Sequence, residues 1–230
     1  LARHAPREVF GALLSSASET LLELGETRLG ARLGVTMVLH TWTRELRFHP
    51  HVHALVTAGG LALDGARWSP SNRKYLFPVK VMAALLRGKM LAALRALHAR
   101  GAFTRFSDFE EPEGFARLMQ RLASAKRWIV YAKRPFARVD HVLTYLGRYT
   151  HRVGISNSRL VDVSTDAVTF RTKNGKTVTV TPVEFLRRFV QHVLPDGFHK
   201  IRHYGLYAGA AEEARHAAQQ LLAPEVTATS

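Results

Sequence analysis

The chain has no cysteine in its 230 residues. That absence excludes a disulfide framework and any thiolate zinc site within them. Acid is scarce: 18 Asp and Glu stand against 33 Lys and Arg, a formal net charge of +15. Long apolar runs are missing too. The longest are broken by Arg or Gly, so nothing reads as a signal peptide or a membrane span, and the expectation is a soluble cytoplasmic protein. There is no internal repeat, and only the tail is of low complexity. The first residue is Leu1, not Met, which reads as a fragment lacking its N-terminal part.

What is present is 47% hydrophobic, enough for one generous domain or a core domain with appendages. Of the 33 basic residues, 25 are Arg. An excess of this size suits a polyanionic partner, because each neutralised phosphate releases condensed counterions. The planar guanidinium adds forked contacts to phosphate and stacking on bases. Nucleic acid is the expected partner.

Periodicity gives the organisation. Apolar residues at helical spacing mark a helix over Arg7–Leu24, and β-branched residues mark a strand over Val35–Trp42. After a polar link at 44–49, His51–Thr57 reads as a second strand, with turns at Gly59-Gly60 and Asp64-Gly65. Pro78 suits the first turn of a helix reaching Arg100. A helix over Gly114–Ala125, a strand over Arg127–Ala132 and a helix over Val139–Thr150 follow. Arg159–Thr181 alternates as a β-meander with Asn174-Gly175 as its hairpin turn. Thr181-Pro182-Val183-Glu184 is a capping box opening a helix to Val193. From Pro224 the tail reads as disordered. Strands and helices so mixed predict an α+β fold.

The first chemistry lies in His49-Pro50-His51-Val52-His53. Side chains alternate across a strand, so His51 and His53 share one face. If 43–48 form the connection, His40 lies directly opposite His51, with Cβ atoms roughly 5 Å apart. Three imidazoles then converge on one ion.

The second lies in Tyr145-Leu146-Gly147-Arg148-Tyr149. Tyrosines four apart on a helix stack on one face. Arg148 and Arg152 bring positive charge beside them, which favours the nucleophilic phenolate over the phenol. A histidine metal site with a tyrosine helix is the minimum kit for phosphodiester transesterification.

Together these segments resemble a known family. His51-Val52-His53 is similar to the histidine-hydrophobic-histidine signature of HUH endonucleases, and Tyr145 with Tyr149 to the paired tyrosines of two-tyrosine transposases. The stretches Val38-Leu39-His40-Thr41-Trp42, Tyr145–Arg152, Ile155-Ser156-Asn157 and Gly197–Leu206 resemble the insertion-sequence-91-like rolling-circle transposases. The resemblance implies a ferredoxin- or RRM-like core, with a central antiparallel sheet flanked by helices and a β-meander and helix appended at the C-terminus. It implies a catalytic core over 1–155, an extension over 156–223 and a tail over 224–230. Full-length relatives carry a cysteine-rich zinc-binding domain before this core.

The same resemblance implies one Mg²⁺ or Mn²⁺ held by His51, His53 and a third polar ligand. His40 ranks first for that place, then His49, then His151; imidazole ligation leans towards Mn²⁺. It also implies attack by tyrosine on single-stranded DNA at transposon ends and targets, through a 5′-phosphotyrosine, in a bacterial, nucleoid-associated setting. Arg148, Arg152, Arg159, Lys200 and Arg202 are the candidate DNA contacts. Lys133-Arg134 and Arg187-Arg188 follow, and the interleaved His199–Tyr204 stretch, bracketed by Gly197 and Gly205, reads as a binding loop. Three alternatives remain: a replication initiator or relaxase with the same chemistry, a non-catalytic basic nucleic-acid-binding module, or a metallohydrolase. Which tyrosine acts first, the DNA site and the oligomeric state stay open.

Overall fold

Helix α1 (Pro6–Leu29) lies across a four-stranded antiparallel sheet built from β1 (Ala31–Trp42), β2 (Phe48–Ala62), β3 (Trp68–Pro70) and β7 (Ile201–Gly205), in the order β3-β2-β1-β7. In this computed structural model the described residues are 1–104, 112–125, 128–136, 138–150 and 154–223, those at 112, 139 and 148–150 by backbone alone. Among the described residues the other α-helices and strands are α2 (Val79–Ala99), α3 (Pro112–Ser124), α4 (Val139–Thr150), β4 (Leu160–Val163), β5 (Val168–Arg171), β6 (Thr177–Val180), α5 (Pro182–Val190) and α6 (Glu212–Leu222). The expected α+β architecture is present: a central antiparallel sheet flanked by helices.

The alternation of β1 divides the sheet into two faces. Val35, Met37 and Leu39 point under α1, where Phe10, Leu14, Leu21 and Leu24 bury them. Removing each such side chain from water stabilises the fold by about 1.5–3 kcal/mol. Thr36, Val38 and His40 therefore take the opposite face, and all three are buried. A second apolar cluster joins Val9 of α1 to Met90, Leu91 and Leu94 of α2 and to Phe115 and Met119 of α3.

The β1–β2 register explains the next features. His40 pairs with His51 but Trp42 pairs with Phe48, so His49 and Pro50 together oppose Thr41. This is a β-bulge, and it stands where proline, with no N–H for the ladder, is tolerated. A larger irregularity sets Thr57, Ala58 and Gly59 against Gly34. There the Thr57 hydroxyl accepts the Gly34 N–H at 3.0 Å, replacing a backbone ladder bond.

Four sequence-based expectations are corrected. Gly59-Gly60 is not a turn but lies inside β2, paired to Pro70 and Ser69 of β3. A Cβ on Gly59, at φ 140°, would stand 2.5 Å from the Ser69 carbonyl oxygen, so glycine answers here to close backbone approach. The turn is the one at Asp64-Gly65, where the Gly65 N–H reaches the Ala62 carbonyl at 2.8 Å. Residues 128–132 form no strand. Val130 and Ala132 pack against the main core while Ile129 and Tyr131 are exposed, giving strand-like alternation without a partner. The stretch from Ile201 to Gly205 is not a loop but strand β7, paired antiparallel to β1 from Val38↔Ile201 to Gly34↔Gly205. Finally, α5 ends at Val190 rather than Val193. The expected disorder from Pro224 onwards lies outside the described residues.

Chain segment 154–193 builds the second sheet, in the order β4-β5-β6. Asn174 (φ 58°) and Gly175 (φ 75°) make the expected hairpin turn. Thr181 caps α5, its hydroxyl accepting the Glu184 N–H at 3.3 Å. Phe170 of β5 is fully buried against Phe185 of α5, ring centroids 5.9 Å apart. The chain then returns through β7 to the first sheet, so residues 156–223 contribute to both.

Candidate metal centre

The face of the first sheet away from α1 carries the histidines. His40 on β1 and His51 on β2 are direct cross-strand partners, and His53 lies two residues along β2 on the same side. Ring centroids are 5.7 Å apart for His40–His51, 4.7 Å for His40–His53 and 4.9 Å for His51–His53. One nitrogen from each ring lies within 4.8 Å of the other two. Among the described residues this is the one cluster of three histidines or acids able to hold a metal ion.

The surroundings suit a ligand set. His40 is 3% exposed and stacks on Trp42, centroids 4.6 Å apart and planes 18° apart. The indole fixes the ring and keeps water from one side of it. The Nδ1–H of His51 donates to the His49 carbonyl at 2.8 Å, which leaves Nε2 with its lone pair. Burial lowers the pKa of His51 below the ordinary histidine value, and the neighbouring His49 pushes the same way against the His49 carbonyl bond. A neutral imidazole is the form that ligates. His49 itself is exposed; the bulge carries it out of the alternation, and its carbonyl is the part that serves the site. Further along the same face, Thr36 Oγ1 and His203 Nδ1 are hydrogen-bonded at 3.0 Å.

The structure thus brings His40, His51 and His53 together. Tyr145 stands on α4, half-buried, its ring 5.4 Å from that of Phe136. Tyr149 and Arg148 follow on the same helix, but their side chains, and His151 and Arg152 entirely, lie outside the described residues. Arg159 has all three of its nitrogens on backbone carbonyls: Nε on Arg171 (2.8 Å), Nη1 on Gly154 (3.1 Å) and Nη2 on Arg44. Lys200 and Arg202 flank the start of β7. The Lys200 carbonyl accepts the Leu39 N–H at 2.8 Å, and the Arg202 guanidinium lies 5.0 Å from the Phe198 ring centre. Beside them is an open cavity of about 700 Å³ lined by Arg7, His199, Arg202, Tyr204 and Tyr207.

Two neighbours of the site escape sequence reasoning. Trp42 had a signal, since it sits two residues from His40 and so shares its face. His192, which reaches Trp42 with ring centroids 5.9 Å apart, had none. No described helix is long and apolar enough to cross a membrane.

Comparison with known proteins gives a consistent result. Residues 34–215, which include the three histidines and both tyrosines, match the family model Y2_Tnp, described as "Putative transposase". The chain is 42% identical over 234 residues to "Putative transposase y4qJ" of Sinorhizobium fredii (strain NBRC 101917 / NGR234), covering 96% of this chain and 58% of that protein. It is 29% identical over 211 residues to "Transposase for insertion sequence element IS801" of Pseudomonas savastanoi pv. phaseolicola, covering 88% of this chain and 50% of that protein. The chain therefore spans about half the length of the curated relatives it matches. No solved structure matches it. With four-fifths of its length inside the family model and the histidine site within that stretch, the chain belongs to the Y2_Tnp transposase family.

Proposed function

We propose that this chain is the nicking and strand-transfer core of a two-tyrosine rolling-circle transposase acting on single-stranded DNA. The observation that carries the reading is the convergence of His40, His51 and His53, with ligand atoms within 4.8 Å of one another on one sheet face. Three imidazoles, one with its tautomer set by the His49 carbonyl, fit a divalent ion of the Mn²⁺ or Mg²⁺ kind, with Mn²⁺ favoured by nitrogen ligation. His49 and His151 are set aside as third ligands in this reading, and His40 takes the place. When bound, the ion supplies Lewis-acid polarisation of the scissile phosphate.

The chain's own groups do the rest. Tyr145 or Tyr149 loses its phenolic proton to solvent and attacks phosphorus. A tyrosine O–P bond forms, the P–O3′ bond breaks, and the 3′ oxygen leaves as a hydroxyl after taking a proton. The 5′-phosphotyrosine keeps the bond energy, so rejoining by a second 3′-OH needs no nucleotide. Two tyrosines one helical turn apart provide two covalent stations, one holding an end while another strand is cut. Arg148 and Arg152 stabilise the phenolate and the phosphate. Lys200 and Arg202, beside the cavity at β7, hold flanking strand by phosphate contact and stacking. Arg159 belongs to the scaffold in this reading, because its fork is committed to carbonyls.

The test is a denaturing gel of labelled single-stranded DNA carrying an element end, incubated with the protein and Mn²⁺ or with EDTA. The expected result is a metal-dependent covalent adduct that disappears in Tyr145→Phe/Tyr149→Phe. Cleavage that survives the double substitution overturns the tyrosine mechanism in favour of hydrolysis.

A further inference from the structure

The connection between β1 and β2, residues 43–47, is the base on which the histidine site stands. Three carbonyls in succession along it are each taken by a side chain from the second sheet's segment. Arg159 Nη2 donates to Arg44, Arg188 Nη1 to Glu45 at 3.1 Å, and His192 Nε2 to Leu46 at 3.2 Å. These donors are separated from their acceptors by more than 100 residues of chain.

The connection needs this support. Leu46 is fully buried and has φ 57°, a left-handed conformation that is unfavourable for a residue with a Cβ. Its side chain packs where a Cβ added to Gly154 would stand 3.3 Å from Leu46 Cδ2, so the second segment also closes over it. His192 is held from both ends, because its Nδ1 accepts from the Thr41 hydroxyl at 3.2 Å. Thr41 is the residue next to His40. The His192 ring lies parallel to Phe48 (5°, 6.3 Å) and edge-on to Trp42 (5.9 Å), and Trp42 is the residue that stacks on His40. An unbroken packed path therefore runs from α5's C-terminal end to a metal-ligating ring.

We infer that the β4–β6/α5 segment is a clamp that sets the geometry of the histidine centre, with His192 as its positioning residue. His192 is not one of the three clustered histidines. It holds Thr41, Leu46 and Trp42, which fix the pitch of β1 where His40 leaves it and the bulge where His51 begins. The inference rests on the reading of His40, His51 and His53 as a metal site.

The experiment is a Mn²⁺ titration of the whole chain, followed by electron paramagnetic resonance of unbound Mn²⁺ and by tryptophan emission, since Trp42 stacks on a ligand. Four proteins are compared: the parent chain, His53→Ala, His192→Ala and His192→Gln. Glutamine places an amide donor where Nε2 stood. The expected result is weakening of Mn²⁺ affinity by about tenfold in His192→Ala, with far-UV circular dichroism unchanged and affinity largely restored in His192→Gln. If the parent binds Mn²⁺ and His53→Ala does not, yet His192→Ala binds as the parent does, the clamp is overturned and the metal site stands. If the parent and His53→Ala behave alike, the metal site falls and the clamp's purpose with it. Should His192→Ala lose its fold, a fifth protein, Thr41→Val, decides, since it removes the hydroxyl that holds His192 Nδ1: affinity several-fold weaker in a folded protein supports the clamp, and parental affinity overturns it.

Discussion

The ring of His51 is bonded through Nδ1–H to the carbonyl of His49, two residues back along its own strand, at 2.8 Å. The bulge at His49 and Pro50 makes this possible by bringing one extra residue into β2 opposite Thr41. A residue of the bulge thus orients the imidazole that follows it, using only a backbone atom.

A contrast among the histidines follows. His40→Ala or His53→Ala removes one of the three proposed ligands and is expected to weaken Mn²⁺ binding by about a hundredfold or more, whereas His49→Ala keeps the carbonyl and leaves affinity within about twofold. Isothermal titration calorimetry reads all three. Equal losses from His49→Ala and His40→Ala would mean that the wrong three rings have been assigned.

A second prediction separates two arginines that sequence reading placed together. Arg159→Ala breaks three carbonyl bonds and is expected to lower the thermal midpoint while leaving the salt dependence of single-stranded DNA binding as it was. Arg202→Ala is expected to do the reverse, reducing the slope of log affinity against log salt by about 0.7. Fluorescence anisotropy with labelled oligonucleotide at several salt concentrations measures the slope. A slope change in Arg159→Ala would return that residue to the DNA-contact set.

Acid should loosen α5 in a defined window. Side-chain bonds from Arg187 and then Arg188 hold Glu184 at about 2, well below its ordinary value of 4.5. A carboxylate depressed in the folded state contributes fully above the unfolded value and ceases to contribute as pH falls through the folded one. The gap in urea midpoint between the parent and Glu184→Gln is therefore constant above about pH 5 and closes towards pH 2. A gap of the same size at pH 3 and pH 7 would show that the carboxylate's charge is irrelevant there.

The centre was more legible in the sequence than the frame that holds it. His40 facing His51 could be read because strand alternation and a short connection between two β-rich runs leave few registers. The α4 helix and the Asn174-Gly175 hairpin were equally local. Gly59-Gly60 misled because glycine serves both turns and close approach, and only the position of β3 tells them apart. Residues 128–132 have a strand's alternation without a strand's partner. The carbonyl clasp at Arg44, Glu45 and Leu46 left no trace, since every residue carries the same backbone oxygen. The place of β7 beside β1 was hidden for a similar reason: long-range pairing has no signature in either segment alone.

That placement also sets a schedule. β1 and β2 are neighbours in the sequence, but the other side of β1 waits for β7, with roughly 160 residues between Trp42 and Ile201. At ~5–20 residues per second, the interval is about 10–30 s of synthesis. Through that time the strand carrying His40 has an open edge, with the N–H of Leu39 and its neighbours unpaired. A product stopped before Ile201 would keep that edge permanently. Closure of the first sheet is thus tied to completion of the segment 154–193, which is translated first.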